Sequence, residues 1–346
     1  MPAVSCGGAV GCGVMGCGAM AKTIGKQLIK FVVLMLAVSI VVFFLVGVSP
    51  IDPVQANVGQ AAYASLSAEK KAELANYWGA NLPIWERYLN WLGAALQGDF
   101  GLSLRFNAPV GEVLATRSLN TLLLMTIAWV VSGLVGFGMG IVAGVKQGSG
   151  FDRFVKGYCF VLASTPTFWF GLVMLMVFAV WLGWFPVGFS VPVGKSAADV
   201  TLLDSLYHVV LPALTLSIVG VANIALHTRE KTIDVMENDY MRFAAARGMG
   251  TWEAVRTHGL RNLMLPAITL QFASVSEIFG GSVLVEQVFS YPGLGQAAVT
   301  AGTGGDAALL VGIALVSAVI VFAGNLVANI LYRVVDPRIR RGGEGL

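Results

Sequence analysis

Between Asp239 and Pro266 the chain reads DYMRFAAARGMGTWEAVRTHGLRNLMLP, a polar, Arg-rich stretch of small residues between two long apolar runs. These residue types suit gripping rather than bond-making. Ala244 and Gly248 lie four apart, so a helix would stack them on one smooth face. Arg242 and Arg247 can flank that face and pair with carboxylates on an incoming surface. Gly248 and Gly250 weaken helix propensity, which predicts a short helix ending there. Thr251 to Asn262 can form a second short helix leading through Leu265 and Pro266 into the next apolar run. The pattern alone fits a docking element and an ordinary amphipathic loop equally well.

Two carboxylates sit inside the apolar run that follows. Glu277 falls in its middle, where a charge costs about 2.5–3.5 kcal/mol to insert. Such a residue either lines a polar path, favouring a cationic cargo, or is satisfied within the bundle. Satisfaction could come from protonation or from Asn325 or Asn329 on the last run. Glu286 comes nine residues later, and at about 100° per residue the two point to opposite faces. Glu286 is therefore expected to brace the turn at Tyr291, Pro292 and Gly293, or to meet a partner there. Catalytic constellations are missing from the sequence. His208, His227 and His258 are scattered, and Cys6, Cys12 and Cys17 match no zinc spacing. No Gly-x-x-x-x-Gly-Lys-Ser/Thr phosphate loop occurs. Neither a metal nor a cofactor is expected in this chain.

The elements that must position these residues belong in lipid. The 346 residues are 56% hydrophobic and 12% charged, with mean hydropathy +0.77, whereas soluble domains carry about 25% charge. Six apolar runs approach the roughly 20 residues that cross a bilayer. They are Ile29–Val48, Asn120–Val145, Val155–Leu182, His208–Leu226, Met264–Phe289 and Leu309–Val334. They are continuous rather than alternating, which predicts helices and not a barrel. Placing both termini inside puts sixteen of the 22 Lys and Arg residues on inner segments and six on outer ones. That asymmetry sets the orientation. The net charge of +3 gives no footprint for nucleic acid.

A long outer loop spans 49–119, and the polar docking stretch belongs to an inner loop over 227–263. Within the outer loop, Ser67 can cap a helix over Ser67–Asn76. Trp85, Tyr88 and Trp91 recur at spacings of three and read as an interfacial belt. Pro166 and Pro212 should bend helices or free carbonyls. Residues 1–21 read as a disordered Gly/Cys-rich tail with Met20 as a natural start, and 342–346 as a second tail. Cys159 reads as a small core hydrophobe.

The docking stretch resembles the coupling-loop signature of ATP-binding-cassette importer permeases of the dipeptide/oligopeptide/nickel subfamily. The matching residues are Asp239, Tyr240, Arg242, Ala244, Ala246 and Gly248, then His258, Leu260, Arg261, Asn262, Leu265 and Pro266. The opening Glu of the general importer signature is absent, as is usual in this subfamily. Further matches are Ser49–Pro53 (with Ile51 in place of Gly), Gly98–Ser103, Pro166–Trp169, Glu286–Gly295 and Asp336–Arg338. The resemblance covers about residues 22–341.

It implies an all-α integral membrane fold of six transmembrane helices, the type I importer permease fold with a cytoplasmic coupling helix. It also implies a bacterial or archaeal inner membrane location. Partners would be a second homologous permease, two ATPase subunits carrying ATP and Mg2+, and an extracytoplasmic solute-binding protein. ATPase coupling would fall to Asp239, Tyr240, Arg242, Ala244, Ala246, Arg247, Gly248 and Gly250. Trp169, Phe272, Ser276 and Glu277 are candidates for the translocation path. Glu286, Tyr291, Pro292, Gly293 and Gly295 are candidates for the outer gate and binding-protein side. Peptides are the expected cargo; nickel chelates and oligosaccharides are alternatives within the family. A rival of another class is an ion-gradient transporter, which Glu277 suits. That rival predicts internal repeats and leaves the Asp239–Pro266 signature without a role.

Overall fold

The computed structural model describes residues 15–48, 60–77, 82–195 and 199–335. Helices account for almost all of it. Helix α1 spans Met15–Val48; α2 (Gln60–Ser65), α3 (Ala68–Tyr77) and α4 (Ile84–Ala95) follow. A two-residue hairpin pairs β1 (Leu102–Ser103) with β2 (Ala108–Pro109), antiparallel, with Leu102 opposite Pro109. Then come α5 (Val110–Val145), α6 (Gly150–Ala163) and α7 (Thr167–Met174), which widens into a π-helical segment to Trp181. Helix α8 spans Leu202–Met236, and α9 spans Asp239–Ala246. Helix α10 (Thr251–Ala254) runs through a π turn (Val255–Gly259) into α11 (Leu260–Ala273). The chain ends with α12 (Val275–Val288), α13 (Leu294–Thr303) and α14 (Ala307–Val335).

Among the described residues, four helices, α1, α5, α8 and α14, are long and apolar enough to cross a membrane alone. Two bent pairs bring the number to six if each is one span. The break between α6 and α7 turns the chain by 107° at Pro166, which caps the start of α7. The break between α11 and α12 is 48°, at Ser274. Pro212 lies inside α8 without ending it.

Several boundaries differ from the sequence reading for local reasons. Helix α5 begins at Val110, just after Pro109, ten residues before the expected span. Its first turns carry Glu112 and Arg117 and therefore read as loop. Helix α8 continues ten residues past Leu226 through charged Arg229, Glu230 and Lys231 before the docking stretch begins. Helix α1 starts at Met15, inside the stretch expected to be a tail, while residues 1–14 lie outside the described residues. The 251–262 helix does not stand alone but feeds directly into α11. Ser67 does cap α3, accepting the Lys70 N–H at 3.2 Å. The expected aromatic belt divides: Trp85 is exposed, but Tyr88 is buried against Phe43, and its hydroxyl meets Ser39 Oγ at 2.9 Å. Trp91 packs beside Tyr88 on the same Phe43 ring, at 6.0 Å between centroids, while Trp85, about 120° around the helix from Trp91, faces outward.

The core is built on the pairing of α5 with α8. Gly136, Gly140 and Gly144 recur every four residues on α5 and face Ile224, Thr228 and Thr232 on α8. A Cβ on Gly140 would lie 2.7 Å from the Ala225 carbonyl oxygen, and one on Gly144 2.8 Å from that of Arg229. Small residues at this spacing let helix backbones approach in lipid, where van der Waals packing drives association. Helix α6 is pinned to the same pair, because buried Asp152 takes a bidentate contact from Arg229. Tyr158 Oη adds a 2.8 Å donation to the Ile218 carbonyl. At the end of the bundle remote from α9, buried Asp306 accepts from Ser103 Oγ at 2.7 Å and the Leu309 N–H at 3.1 Å. It thereby caps α14 and holds the hairpin.

Gly140→Leu should force α5 and α8 apart and lower the apparent melting temperature of the detergent-extracted protein by several degrees. The expected cost is about 1–3 kcal/mol of overpacking. Gly138→Ala, two residues away with nothing within 4 Å of the new Cβ, should leave the melting curve unchanged. Thermal unfolding of both variants checks the seam.

Candidate functional site

Helix α9 carries the first candidate site. One face, Met241 and Ala244, turns inward and packs with Ile141 of α5, Val235 of α8 and Leu263 of α11. The opposite face presents Tyr240, Phe243 and Arg247, with Phe243 67% exposed. The Arg247 guanidinium lies over the Phe243 ring, 5.7 Å from its centroid. These side chains, with Asp239, Met249 and His258, line an open cleft of about 430 Å³. Asn262 Nδ2 donates to Tyr240 Oη at 3.0 Å and ties α9 to α11.

Gly248 ends the helix in a left-handed conformation, φ 85°. The Gly248 N–H donates to Ala245 O at 2.9 Å and the Met249 N–H to Ala244 O at 3.2 Å, the two bonds of a Schellman cap. The smooth face expected from Ala244 and Gly248 is thus not the exposed one: Ala244 anchors the helix and Gly248 terminates it. Ala246, Arg242 and Gly250 are exposed. None of Arg242, Arg247, Arg256 and Arg261 has a described carboxylate within 4.0 Å. The exposed face therefore combines aromatic rings with uncompensated positive charge.

At the other end, Glu286 is fully buried. Its Oε2 accepts the Gly295 N–H at 2.7 Å and the Gln296 N–H at 3.1 Å. Thr121 Oγ1 of α5 donates to its Oε1 at 2.7 Å and accepts the Leu294 N–H at 2.8 Å. One carboxylate and one hydroxyl so satisfy the first three N–H groups of α13, which would otherwise be orphaned. Asn120 Nδ2 adds a donation to the Pro292 carbonyl at 2.9 Å. Tyr291 is buried, and a Cβ on Gly293 would fall 2.3 Å from the Glu286 carboxyl carbon. Glu286, Tyr291, Pro292, Gly293 and Gly295 are thus brought into one knot that joins α12, α13 and α5.

Residues 136–341 match the family described as binding-protein-dependent transport system inner membrane component. The oligopeptide transport system permease protein AppB of Bacillus subtilis (strain 168) is 35% identical over 321 residues, covering 92% of this chain and 99% of its own. The dipeptide transport system permease protein DppB of Escherichia coli (strain K12) is 31% identical, covering 88% and 94%. The glutathione transport system permease protein GsiC of Escherichia coli O1:K1 / APEC is 33% identical, covering 91% and 97%. The chain belongs to this family.

In the permease, the four residues expected along a path have different surroundings. Glu277 is exposed on α12, and Asn223 Nδ2 of α8 donates to its Oε2 at 3.3 Å. Its partner is therefore on α8, not Asn325 or Asn329 of α14. Phe272 packs on Trp129, ring centroids 4.9 Å apart. Ser276 is half-buried, and Trp169 is exposed on α7. As expected from the spacing, Glu277 and Glu286 face opposite ways.

Sequence reasoning missed Phe243, Asn223, Gln271 and Trp129. Phe243 sits inside the recognised signature and was legible as the aromatic on the face opposite Met241. The other three owe their roles to neighbours on distant helices, which spacing does not reveal.

Glu286→Leu removes the acceptor shared by the Gly295 and Gln296 N–H groups of α13, at about 1–3 kcal/mol for each donor left unpaired. It should lower the melting temperature more than Thr121→Val does. Both variants should retain the exposed α9 face, read as unchanged accessibility of a cysteine placed at Ala245.

Proposed function

We propose that this permease imports peptides, with the exposed face of α9 as the handle for its ATPases. The observation that carries the proposal is that face: Tyr240, Phe243 and Arg247 exposed, on a helix anchored from behind by Met241 and Ala244. An amphipathic helix fixed on one side and offering aromatics and unpaired arginines on the other suits a groove with acidic rims. Arg242, Ala246 and Gly250 border the contact, Asp239 opens the helix, and Gly248 sets where it ends.

In this reading the permease domain covers 22–341 and both termini are cytoplasmic, as the excess of Lys and Arg on the α9 side favours. The chain works beside a second homologous permease in a bacterial or archaeal inner membrane. Two separate ATPase subunits bind ATP and Mg2+, and an extracytoplasmic binding protein delivers cargo to the outer end. There the Glu286–Thr121 knot holds Tyr291, Pro292, Gly293 and Gly295 in a fixed shape for docking. Glu277, Phe272, Ser276 and Trp169 contribute to the path. Peptide cargo is favoured because relatives covering nearly their whole length are named for oligopeptide and dipeptide transport.

ATP closure brings the two ATPases together and pulls on α9. Because α9 packs on α5, α8 and α11, the pull reaches the membrane helices directly. Phe243→Asp and Arg247→Glu should abolish co-purification of the ATPases with the tagged permease while its melting temperature stays within about a degree. Retention of the ATPases by both variants would refute this use of α9.

A further inference from the structure

The face of α8 turned away from α5 is polar at a depth where lipid would call for apolar side chains. Asn223, His227, Glu230 and Asp234 fall within about 60° of one another around the helix and run for about 17 Å toward α9. His227, Glu230 and Asp234 are exposed and Asn223 is half-buried. The opposite face seats Ile224, Thr228 and Thr232 on Gly136, Gly140 and Gly144 of α5, and this register fixes the depth. Asn223, next to Ile224, is level with Gly136, about 14 Å before α5 ends at Val145. The stretch of α5 beside it, Gly136–Val145, holds no charged or hydrogen-bonding side chain.

Glu277 of α12 stands at the deep end of this stripe. Asn223 Nδ2 donates to its Oε2 at 3.3 Å, and the carboxylate is exposed. No described Lys, Arg or His nitrogen lies within 4.0 Å of it. Lys231, at the edge of the stripe, pairs with Asp234 at 3.7 Å, and Arg229 pairs with Asp152, so neither compensates Glu277. A carboxylate held at such depth faces a cavity or a partner group rather than lipid. The stripe does border a hollow: His227, Glu230 and Asp234 form one side of a cavity of about 360 Å³, with Leu263, Pro266 and Leu270 of α11 on the other. The chemistry at its deep end is acceptor-only. With its amide nitrogen donating to Glu277, Asn223 presents its side-chain oxygen beside the two carboxylate oxygens. A primary ammonium, with three N–H donors and a positive charge, matches that set. A free peptide carries such a group at its N-terminus, with a pKa of about 7.7–8.0 that keeps it largely charged at neutral pH.

We propose that Glu277 and Asn223 form a cation subsite that takes the α-ammonium group of a peptide in transit, with the polar face of α8 from His227 to Asp234 leading onward toward α9. The proposal rests on the peptide reading above and on the place of Glu277 in the path. Gly280, three residues beyond Glu277, is exposed and has nothing within 4 Å of an added Cβ. Gly280→Cys therefore sets a thiol beside the subsite without disturbing it. The test uses the assembled transporter with its binding protein in lipid nanodiscs, native cysteines replaced. Labelling of the thiol by N-ethylmaleimide is timed with millimolar Ala-Leu-Ala or N-acetyl-Ala-Leu-Ala, which lacks the ammonium. Ala-Leu-Ala should slow labelling about fivefold, the acetylated peptide should leave it unchanged, and Glu277→Gln should remove the protection. If Glu277→Gln fails to assemble, the contrast between the two peptides decides alone. Equal protection by both peptides, protection that survives Glu277→Gln, or no protection would overturn the subsite. A thiol that does not label at all would overturn it too, since the second permease would then cover this face. In each case uptake of Ala-Leu-Ala by wild-type proteoliposomes leaves peptide import standing. Failure of that uptake would instead sink the peptide reading, and the subsite with it.

Discussion

The close approach of α5 and α8 is the constraint on which the rest depends. In lipid there is no hydrophobic force between helices, so contact must come from surfaces that fit. Gly136, Gly140 and Gly144 provide such a surface over two helical turns, with Ile224, Thr228 and Thr232 seated against it. Every functional region hangs from this pair. Helix α8 leads, through two residues, into α9. Helix α5 carries Thr121 toward one end and Trp129 near its middle, and so holds both the Glu286 knot and, through the paired Trp129–Gln271 hydrogen bonds, helix α11. The Asp152–Arg229 contact adds α6 to the same unit.

That arrangement is what the proposed coupling through a short surface helix requires. Met241 and Ala244 fasten α9 to three different helices at once. A force on Phe243 or Arg247 is therefore not absorbed by a flexible loop. The Schellman cap at Gly248 and the Asn262–Tyr240 bond restrict the helix further. At the opposite end, the Glu286 carboxylate performs for α13 what a cap residue performs in water, but across helices. A buried carboxylate is expensive unless its acceptors are filled, and here three donors fill them. The turn from Tyr291 to Gly293 is held in one shape for that reason.

The family and the approximate membrane spans were legible in the sequence because both rest on local signals. Apolar runs mark spans one by one, and the Asp239–Pro266 signature is contiguous. The opposed faces of Glu277 and Glu286 followed from helical spacing alone. Boundaries were less legible where charged residues extend a helix beyond its apolar run, as at Arg117 and Arg229. What stayed hidden was the pairing of residues far apart in the chain: Thr121 with Glu286, Ser103 with Asp306, Trp129 with Gln271. The role of Ala244 was misjudged for a related reason. A small residue on a helix suits close approach by any surface, and only the fold shows that the surface is the permease's own core.

The central claim is that α9 is rigidly joined to the α5–α8 pair, so that nucleotide-driven motion is handed to the whole bundle. The most direct test is a spin-label distance between Ala246 on α9 and Gly138 on α5, both exposed, in the assembled transporter with the native cysteines replaced. The account predicts one narrow distance that is unchanged, within about 2 Å, between the nucleotide-free and the ATP–Mg2+-trapped states. A shift of several ångströms, or a broad distribution in either state, would show α9 moving independently of the scaffold and would contradict it.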